Sequence, residues 1–451
     1  MKPNILLIVI DSLRYDKCYG KTKTSLTPNL DKILDNAVCF NQAISTVSTT
    51  IPSMGSILAG TFPFKIGLGG EHYDQLSVIK ENYIQLLKKN GYKTYATTPS
   101  IASDFGLTCE FTNTDKSHDN YFSLFSGLGD QIINKLTSSD LKEPWFLYVH
   151  LYDLHTPVVV PKEFSTEKYG DSQYEKMVSA IDYWIGKFMK KIDEQKTLLI
   201  LTSDHGEYIP IVSHKNKIIN LEASIGETNL WKLGNKVPKK LYPMKKKLGS
   251  AFRITRSKFK KTKIENLPLS IYEKRVLLDS RMKDGHRLFD DLLRVPLIFS
   301  GFNLSKFFIS QQVRTVDIFP TIVDLIGLSN PQKIDGQSLK LLIDGSDQAE
   351  LPAYIESPPT ISGSLKKVIG VRTSKYKYLR SADNTKFFYE LYDLENDPLE
   401  EKNIITQFPD IVEKMEKILT EIRHGNYDNK QKMSEEKKAK IREKLRKLGY
   451  V

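Results

Sequence analysis

Residues Asn4–Ile10 read NILLIVI, an apolar run rich in β-branched side chains that ends at Asp11. A run of this kind, without alternating polar residues, is typical of a strand buried on both faces of a parallel sheet. Two similar runs follow, Trp145–Leu151 (WFLYVHL) and Thr197–Thr202 (TLLILT). Together the three runs predict the centre of an open α/β sheet.

Helical patterns lie between the predicted strands. Residues 30–37 follow a Thr-Pro-Asn start signal, residues 83–90 end at an Asn-Gly stop signal, and residues 174–192 carry apolar side chains at helical spacing. Alternating strands and helices favour an α/β fold in which a large, mostly parallel sheet has helices on both faces.

Acids and histidines stand directly after the three predicted strands. Asp11 follows the first, Asp153 and His155 follow the second, and Asp204 and His205 follow the third. In open α/β sheets, ligands bind beyond the carboxyl ends of the strands. A single aspartate after a strand is often only a helix cap, but three such strand ends together predict a shared metal site.

The stretch 45–60 (STVSTTIPSMGSILAG) predicts a helix with Pro52 in its first turn and Gly60 at its end. Thr50 then lies just before or at the helix N-terminus, where backbone N–H groups favour negative charge. A hydroxyl held there beside a metal can be deprotonated and can attack an oxyanion ester. The alternative is that Thr50 only caps the helix.

The composition is that of an ordinary globular protein. Of 451 residues, 40% are hydrophobic and 27% are charged, which excludes wholesale disorder and a membrane bundle. The first apolar run is too short to span a bilayer and lacks a signal peptide's cleavage region. Because Cys18, Cys39 and Cys109 show no paired or metal-type spacing, we expect a reduced, cytoplasmic chain.

The positive charge is concentrated in one segment, the basic insertion 215–283. The whole chain has a net charge of +12, whereas this segment alone carries 19 Lys and Arg against 5 Asp and Glu, a net +14. It lies between His205 and His286, so we expect it to overhang the site. It predicts contact with a large or surface-bound anionic substrate, an acidic polymer or an anionic lipid, which would make the chain peripheral to a membrane. Nucleic acid is a less favoured partner, and a solvated loop is the alternative.

Several motifs follow one another in a fixed order: PNILLIVIDSLRYD, TPNLDKILDNAVCFNQAIS, TTIPSMGSILAGTFP, FLYVHLYDLHTP, LLILTSDHGE, HRLFDDLLRVPLIFSG, VDIFPTIVDLIGL and ELYDLENDPLEEKNI. This series resembles the sulfatase family of the alkaline-phosphatase superfamily from end to end. The resemblance implies an alkaline-phosphatase-like fold with a small C-terminal antiparallel sheet and helix. It also implies a catalytic core over 1–345 that includes the basic insertion, an α+β subdomain over 346–425, and a charged helix or tail over 426–451.

The C-terminal residues themselves agree with this organisation. Residues 368–373, 376–380 and 387–394 are predicted as short strands, and residues 409–422 as an amphipathic helix.

The resemblance also assigns roles to residues. It implies a metal ion held by four of them: Asp11, Thr50, Asp204 and His205. Thr50 would be the nucleophile, and His155 and His286 would face the substrate or, with Asp153, hold a second metal. Mixed Asp and His ligation suits Zn or Mn, whereas Mg or Ca prefers more oxygen ligands. His150, inside an apolar strand, is better interpreted as a core histidine.

The sequence departs from the family at the nucleophile motif. Sulfatases carry Cys-x-Pro-Ser-Arg, whose Cys becomes formylglycine; here Thr50 replaces the cysteine and Met54 replaces the arginine. Ser12 stands where members with two aspartates have a second carboxylate, and Ile66 stands where many members have a histidine. Because Thr50 replaces the motif cysteine, no formylglycine can form at position 50.

These departures favour phosphate or phosphonate mono- and diesters over sulfate esters, cleaved through a covalent intermediate on Thr50. A formylglycine hydrate can eliminate sulfate, whereas a threonine ester has to be cleaved by water or another acceptor. The alternatives are a sulfuric ester hydrolase and a phospho-group transferase. A non-enzymatic alternative is a polyanion-binding protein that acts through the basic insertion.

Overall fold

The computed structural model describes residues 2–68, 83–120, 122–215, 217–223, 261–262, 264–278, 288–329, 334–357, 367–382 and 389–424. His286, most of the basic insertion and the predicted charged tail lie outside the described residues.

The described residues form fourteen strands in chain order: β1 (Asn4–Ile10), β2 (Ala37–Ile44), β3 (Lys93–Pro99), β4 (Ser117–His118), β5 (Trp145–Leu151), β6 (Thr197–Thr202), β7 (Ile211–His214), β8 (Lys217–Asn220), β9 (Arg294–Gly301), β10 (Phe307–Arg314), β11 (Ala353–Glu356), β12 (Val368–Arg372), β13 (Tyr376–Ser381) and β14 (Tyr389–Asp393). The α-helices of the same residues are α1 (Tyr15–Cys18), α2 (Pro28–Leu34), α3 (Thr50–Ala59), α4 (Tyr83–Lys89), α5 (Ser100–Asp104), α6 (Leu128–Thr137), α7 (Gln173–Met189), α8 (Ile271–Leu278), α9 (Asp290–Leu293), α10 (Ile318–Leu325), α11 (Lys340–Ile343) and α12 (Pro409–Arg423).

The main sheet has eight strands in the order β10-β2-β9-β6-β1-β5-β3-β4. Its pairings are parallel except those of β9, which runs antiparallel to both β2 and β6. The three strands predicted from apolar runs are adjacent at the centre, with β1 between β5 and β6. The prediction of a large, mostly parallel sheet is confirmed.

Helices cover both faces of this sheet. Alternate residues of β1 belong to two separate cores: Ile5, Leu7 and Val9 pack in one, and Leu6, Ile8 and Ile10 pack in the other. The first core includes residues of α3, α4 and α10, and the second includes residues of α2, α6 and α7. Because each such side chain contributes about 1.5–3 kcal/mol on burial, the two cores hold β1 rigidly in place.

Two predicted helix ends were wrong by a few residues. The helix predicted over 30–37 ends at Leu34, and Ala37 begins β2, because the following apolar residues pair with β9 and β10. The helix predicted over 174–192 begins at Gln173 and ends at Met189. Ser172 is its N-cap, and its hydroxyl oxygen accepts a hydrogen bond from the Glu175 N–H.

A second, antiparallel sheet has the order β11-β12-β13-β14. Helix α12 packs against it through the buried side chains of Met415 and Leu419. The three predicted C-terminal strands and the helix are present with ends shifted by one or two residues, and residues 387–388 are outside the described part. Strand β11 was not predicted. The Glu356 N–H at its end donates to the Thr46 carbonyl at 3.0 Å, which attaches the second sheet to the loop between β2 and α3.

The three cysteines are free thiols, with Cys18 and Cys39 buried and Cys109 exposed. Within the described ranges, no helix combines the length and the apolar character needed to cross a bilayer.

Candidate metal and nucleophile site

Helix α3 places Thr50 at its first position. The preceding Thr49 is extended (φ −150°, ψ 150°), and the helix ends at Gly60, whose left-handed φ of 61° a side chain would disfavour. The sequence prediction of a helix with Pro52 in its first turn and Gly60 at its end is thus confirmed, and Thr50 is its first residue. The start of an α-helix favours negative charge through its backbone N–H groups and its dipole, so this end of α3 attracts anions.

The four residues predicted to hold a metal meet at one point. Asp11 follows β1, Asp204 and His205 follow β6, and one ligand atom from each lies within 4.8 Å of the others. The Thr50 hydroxyl is 3.0 Å from Asp11 Oδ2 and 3.4 Å from His205 Nε2. All four side chains are buried.

The donor atoms of this group fit a cation. Asp204 Oδ2 is buried without a hydrogen-bond partner among the described residues and lies 3.5 Å from His205 Nε2. A buried carboxylate oxygen without a partner is costly, and a bound cation would compensate it. His205 Nδ1 lies 2.8 Å from the Gly206 carbonyl oxygen, which requires the proton on Nδ1, so Nε2 is the nitrogen that faces the two carboxylates and would bind a cation.

The charges at this site are strongly coupled. Burial raises the pKa of Asp204, and the neighbouring charge of Asp11 raises it further. Burial also tends to raise the pKa of Asp11, but a hydrogen bond with His150 and the charge of His205 lower it overall. Burial tends to lower the pKa of His205, whereas the charges of Asp204 and Asp11 raise it overall. Two carboxylates so close together repel each other, and a divalent cation would remove that repulsion.

Serine side chains hold the two carboxylate loops in place. Ser12 donates its N–H to Asp204 Oδ1 at 3.0 Å and its hydroxyl to Asp11 Oδ1 at 2.7 Å. The Ser45 and Ser53 hydroxyls each donate to the Asp204 carbonyl oxygen at 2.5 Å. In the sequence, Ser12 was notable only because it replaces a second carboxylate. In the structure, its hydrogen bonds orient Asp11 and Asp204.

His150 is buried, as predicted for a core histidine, but it also borders the site. Its Nδ1 is 3.0 Å from the Tyr148 hydroxyl, and its Nε2 is 3.5 Å from Asp11 Oδ2 and 4.0 Å from Asp204 Oδ2. Sequence reasoning missed this position. No local sequence signal marks it, because its place beside the site comes from the strand register, which pairs His150 with Val9, two residues before Asp11.

Two of the three residues predicted for a second metal, Asp153 and His155, lie in the described part of the chain. His155 stacks on Tyr152 with ring centroids 4.3 Å apart, and its charge contributes to lowering the pKa of Asp11. Asp153 Oδ1 accepts from the Leu124 N–H at 3.0 Å, and burial raises the pKa of Asp153 to about 7. Since His286 lies outside the described residues, the second metal stays a prediction.

Two of the positions at which the sequence departs from the family pattern carry apolar side chains packed in the core. Met54 and Ile66 are both buried in the core that includes α3. A core methionine therefore occupies the position of the family's motif arginine, and no cationic side chain extends from this turn of α3.

Comparison with known proteins agrees with this geometry. The family model described as "Sulfatase" matches residues 3–328, and the model for the C-terminal region of N-sulphoglucosamine sulphohydrolase matches residues 279–425. The chain belongs to the sulfatase family, within the alkaline-phosphatase-like superfamily. Members of this family are hydrolases of sulfuric or phosphoric esters and generally depend on a divalent metal.

Individual relatives are more distant. Arylsulfatase K of Mus musculus is 29% identical over 142 residues, which cover 30% of this chain and 26% of the relative; the match thus spans about a quarter of that protein. The phosphonate monoester hydrolase of Agrobacterium radiobacter aligns in structure with a TM-score of 0.66 at 15% identity, covering 94% of this chain and 95% of the hydrolase.

A third similar protein, BT4656, was solved in complex with its substrate D-glucosamine-2-N,6-O-disulfate. It aligns with a TM-score of 0.65 at 17% identity, covering 96% of this chain and 100% of its own. At these identities the two structural comparisons establish the shared fold.

Proposed function

We propose that the chain is a metal-dependent hydrolase of phosphate or phosphonate mono- and diesters, with Thr50 as the nucleophile. The observation that carries the proposal is the position of the Thr50 hydroxyl, which lies 3.0 Å from Asp11 Oδ2 at the start of α3. The oxygen is therefore close to the carboxylate–histidine group and to a helix end that attracts anions.

Asp11, Asp204 and His205 would hold the cation, with Thr50 as a fourth ligand. When bound, the cation would lower the pKa of the Thr50 hydroxyl and neutralise charge on the transferring group. Mixed oxygen and nitrogen ligands favour Zn or Mn, whereas an oxygen-rich site that included water would suit Mg or Ca.

The Thr50 hydroxyl first loses its proton to bulk water. Thr50 Oγ1 then attacks phosphorus in line, which forms the threonine–phosphorus ester as the bond to the leaving alkoxide breaks. The first N–H groups of α3 stabilise charge on the non-bridging oxygens. His155 or His286 protonates the leaving alkoxide. Water then attacks the same phosphorus atom, and Thr50 leaves with a proton.

Two residues support phosphoryl over sulfuryl chemistry. Thr50 cannot form the formylglycine hydrate that releases sulfate by elimination, and Met54 removes the cationic side chain of the sulfatase motif. The second candidate function is sulfuric ester hydrolysis, which the names of arylsulfatase K and the substrate of BT4656 favour. A transferase would use the same first step and a different acceptor in the second.

A substrate screen with metal-reconstituted protein tests the proposal. The substrates are p-nitrophenyl phosphate, bis-p-nitrophenyl phosphate, p-nitrophenyl phenylphosphonate and p-nitrophenyl sulfate, each with Zn, Mn, Mg or Ca. We expect a phosphoryl or phosphonyl ester to give the highest kcat/KM. If the sulfate is cleaved faster than every phosphorus ester, the second candidate function replaces the first.

A further inference from the structure

The segment 288–293, which includes α9, contacts the loops on which the proposed site is built. The Leu292 carbonyl oxygen accepts from the Gly206 N–H at 2.8 Å, and the Leu293 carbonyl oxygen accepts from the Ser45 N–H at 2.7 Å. These bonds attach the segment to the loop after β6, which carries two of the proposed ligands, and to the loop after β2, which leads to the nucleophile.

Asp291 connects the segment to the third loop, which follows β1. Asp291 Oδ1 lies 2.7 Å from Arg14 Nη2, and the two side chains are only 8% and 9% exposed. Arg14 is three residues beyond Asp11 and also donates to the Glu207 carbonyl at 3.4 Å. The backbones of the segment and of the loop after β6 lie close together, since a Cβ on Gly206 would be 2.1 Å from the Asp291 carbonyl oxygen.

Asp290 connects the same segment to the C-terminal sheet. Lys377, fully buried on β13, donates to Asp290 Oδ1 and to Glu400 Oε1, both at 2.6 Å. Arg372 on β12 donates to Asp290 Oδ2 at 2.7 Å, and the Asp290 N–H donates to Glu400 Oε2 at 2.7 Å. The charges are paired and hydrogen-bonded, which is the condition for keeping ions in a protein interior.

We infer that Asp290 and Asp291 are positioning residues for the metal centre, an inference that rests on the proposed function. Their carboxylates act through other groups: Asp291 fixes the loop after β1 through Arg14, and Asp290 fixes the segment against Lys377 and Arg372. Through these contacts the C-terminal sheet helps to position the loops that carry the proposed metal ligands. Groups that orient metal ligands typically change metal affinity or activity 10–100-fold when they are lost.

The experiment measures metal affinity in the full-length protein. The Asp291→Asn variant keeps the shape of the side chain, and Arg14 keeps its second partner Asp16 at 2.7 Å, so the fold is expected to persist. The matched control is Asp317→Asn, which breaks a similarly buried ion pair with Arg314 (2.6 Å, side chains 4% and 6% exposed) at the end of β10. Chelator-stripped proteins are titrated with Mn²⁺ and Zn²⁺ by calorimetry, and their stability is measured in urea.

We expect Asp291→Asn to bind these ions at least about tenfold more weakly than wild type. The Asp317→Asn control should lose stability and keep wild-type affinity. Wild-type affinity in Asp291→Asn, or an equal loss of affinity in both variants, would overturn the inference. A wild-type protein that binds neither ion, nor Mg²⁺ or Ca²⁺, would contradict the proposed metal centre itself.

A second variant tests the connection to the C-terminal sheet. The double substitution Lys377→Met/Glu400→Gln removes one cation and one anion together and leaves the pair between Asp290 and Arg372. We expect it to weaken Mn²⁺ binding in the same direction as Asp291→Asn. Unchanged affinity in a folded double variant would overturn the role of Asp290.

Discussion

At Ser12 the backbone has a φ of 63°, a left-handed conformation that costs a residue with a β-carbon about 1–2 kcal/mol. This conformation turns the N–H toward Asp204 and the hydroxyl toward Asp11. A serine in the sequence gives no information on its torsion angles, so this role was not predictable. His150 was missed for a related reason, because its neighbours across the sheet depend on the strand register.

Substitutions at Ser12 separate its hydroxyl from its strained backbone. Ser12→Ala and Ser12→Gly both remove the hydrogen bond to Asp11, and we expect both to weaken metal binding about tenfold. Glycine tolerates positive φ, so Ser12→Gly should be about 1 kcal/mol more stable than Ser12→Ala. Calorimetric titration and urea denaturation measure the two effects. Equal metal affinity in wild type and both variants would show that the hydroxyl does not support Asp11.

Among the elements, those with a strong local pattern were predictable and those that depend on distant partners were not. The strands β1, β5 and β6 are continuous apolar runs, and all three lie where the sequence places them. The direction of β9 depends on its pairing with β2 and β6, which no local pattern encodes. Likewise, β11 is attached through a bond to the loop before α3.

Met54 on helix α3 is only 1% exposed and packs in the core, so a charged side chain at this position should destabilise the fold. Restoring the arginine of the sulfatase motif with Met54→Arg would bury a charge, and we expect a loss of at least about 3 kcal/mol in the free energy of unfolding. The control Met54→Leu should cost less than about 1.5 kcal/mol. Urea denaturation compares the two, and equal stability would mean that the side chain at this position reaches solvent or the site.

In the whole molecule, two cores hold the strands in register while the strand ends bring Asp11 and Asp204 together. Hydrophobic burial of the strands thus keeps the Asp11 and Asp204 carboxylates together, although their negative charges repel each other. The sequence predicted this gathering of ligands because parallel strands end at one edge. It could not predict that segment 288–293 would join that edge to the C-terminal sheet, since the buried ion pairs of Asp290 and Asp291 link residues far apart in the chain.

Metal removal should therefore destabilise the whole protein. At a free metal concentration about 100 times the Kd, binding stabilises the native state by about 2.7 kcal/mol. We expect the melting temperature to fall on chelation and to recover when Zn²⁺ or Mn²⁺ is restored, measured by thermal denaturation. The Asp204→Asn variant serves as the control, because it relieves the repulsion and should respond weakly to the ion. Identical melting temperatures for wild type with and without metal would contradict a resident ion.

The central claim is that Thr50 carries the transferred group, and rapid quenching tests it most directly. Metal-reconstituted protein is mixed with its best p-nitrophenyl phosphorus ester, quenched in acid and mapped by peptide mass spectrometry. We predict a phosphoryl or phosphonyl adduct on Thr50. We also predict that Thr50→Ala loses several orders of magnitude in turnover, while the neighbouring control Thr49→Ala still forms the adduct. An adduct on another residue, or full turnover in Thr50→Ala, would contradict the account.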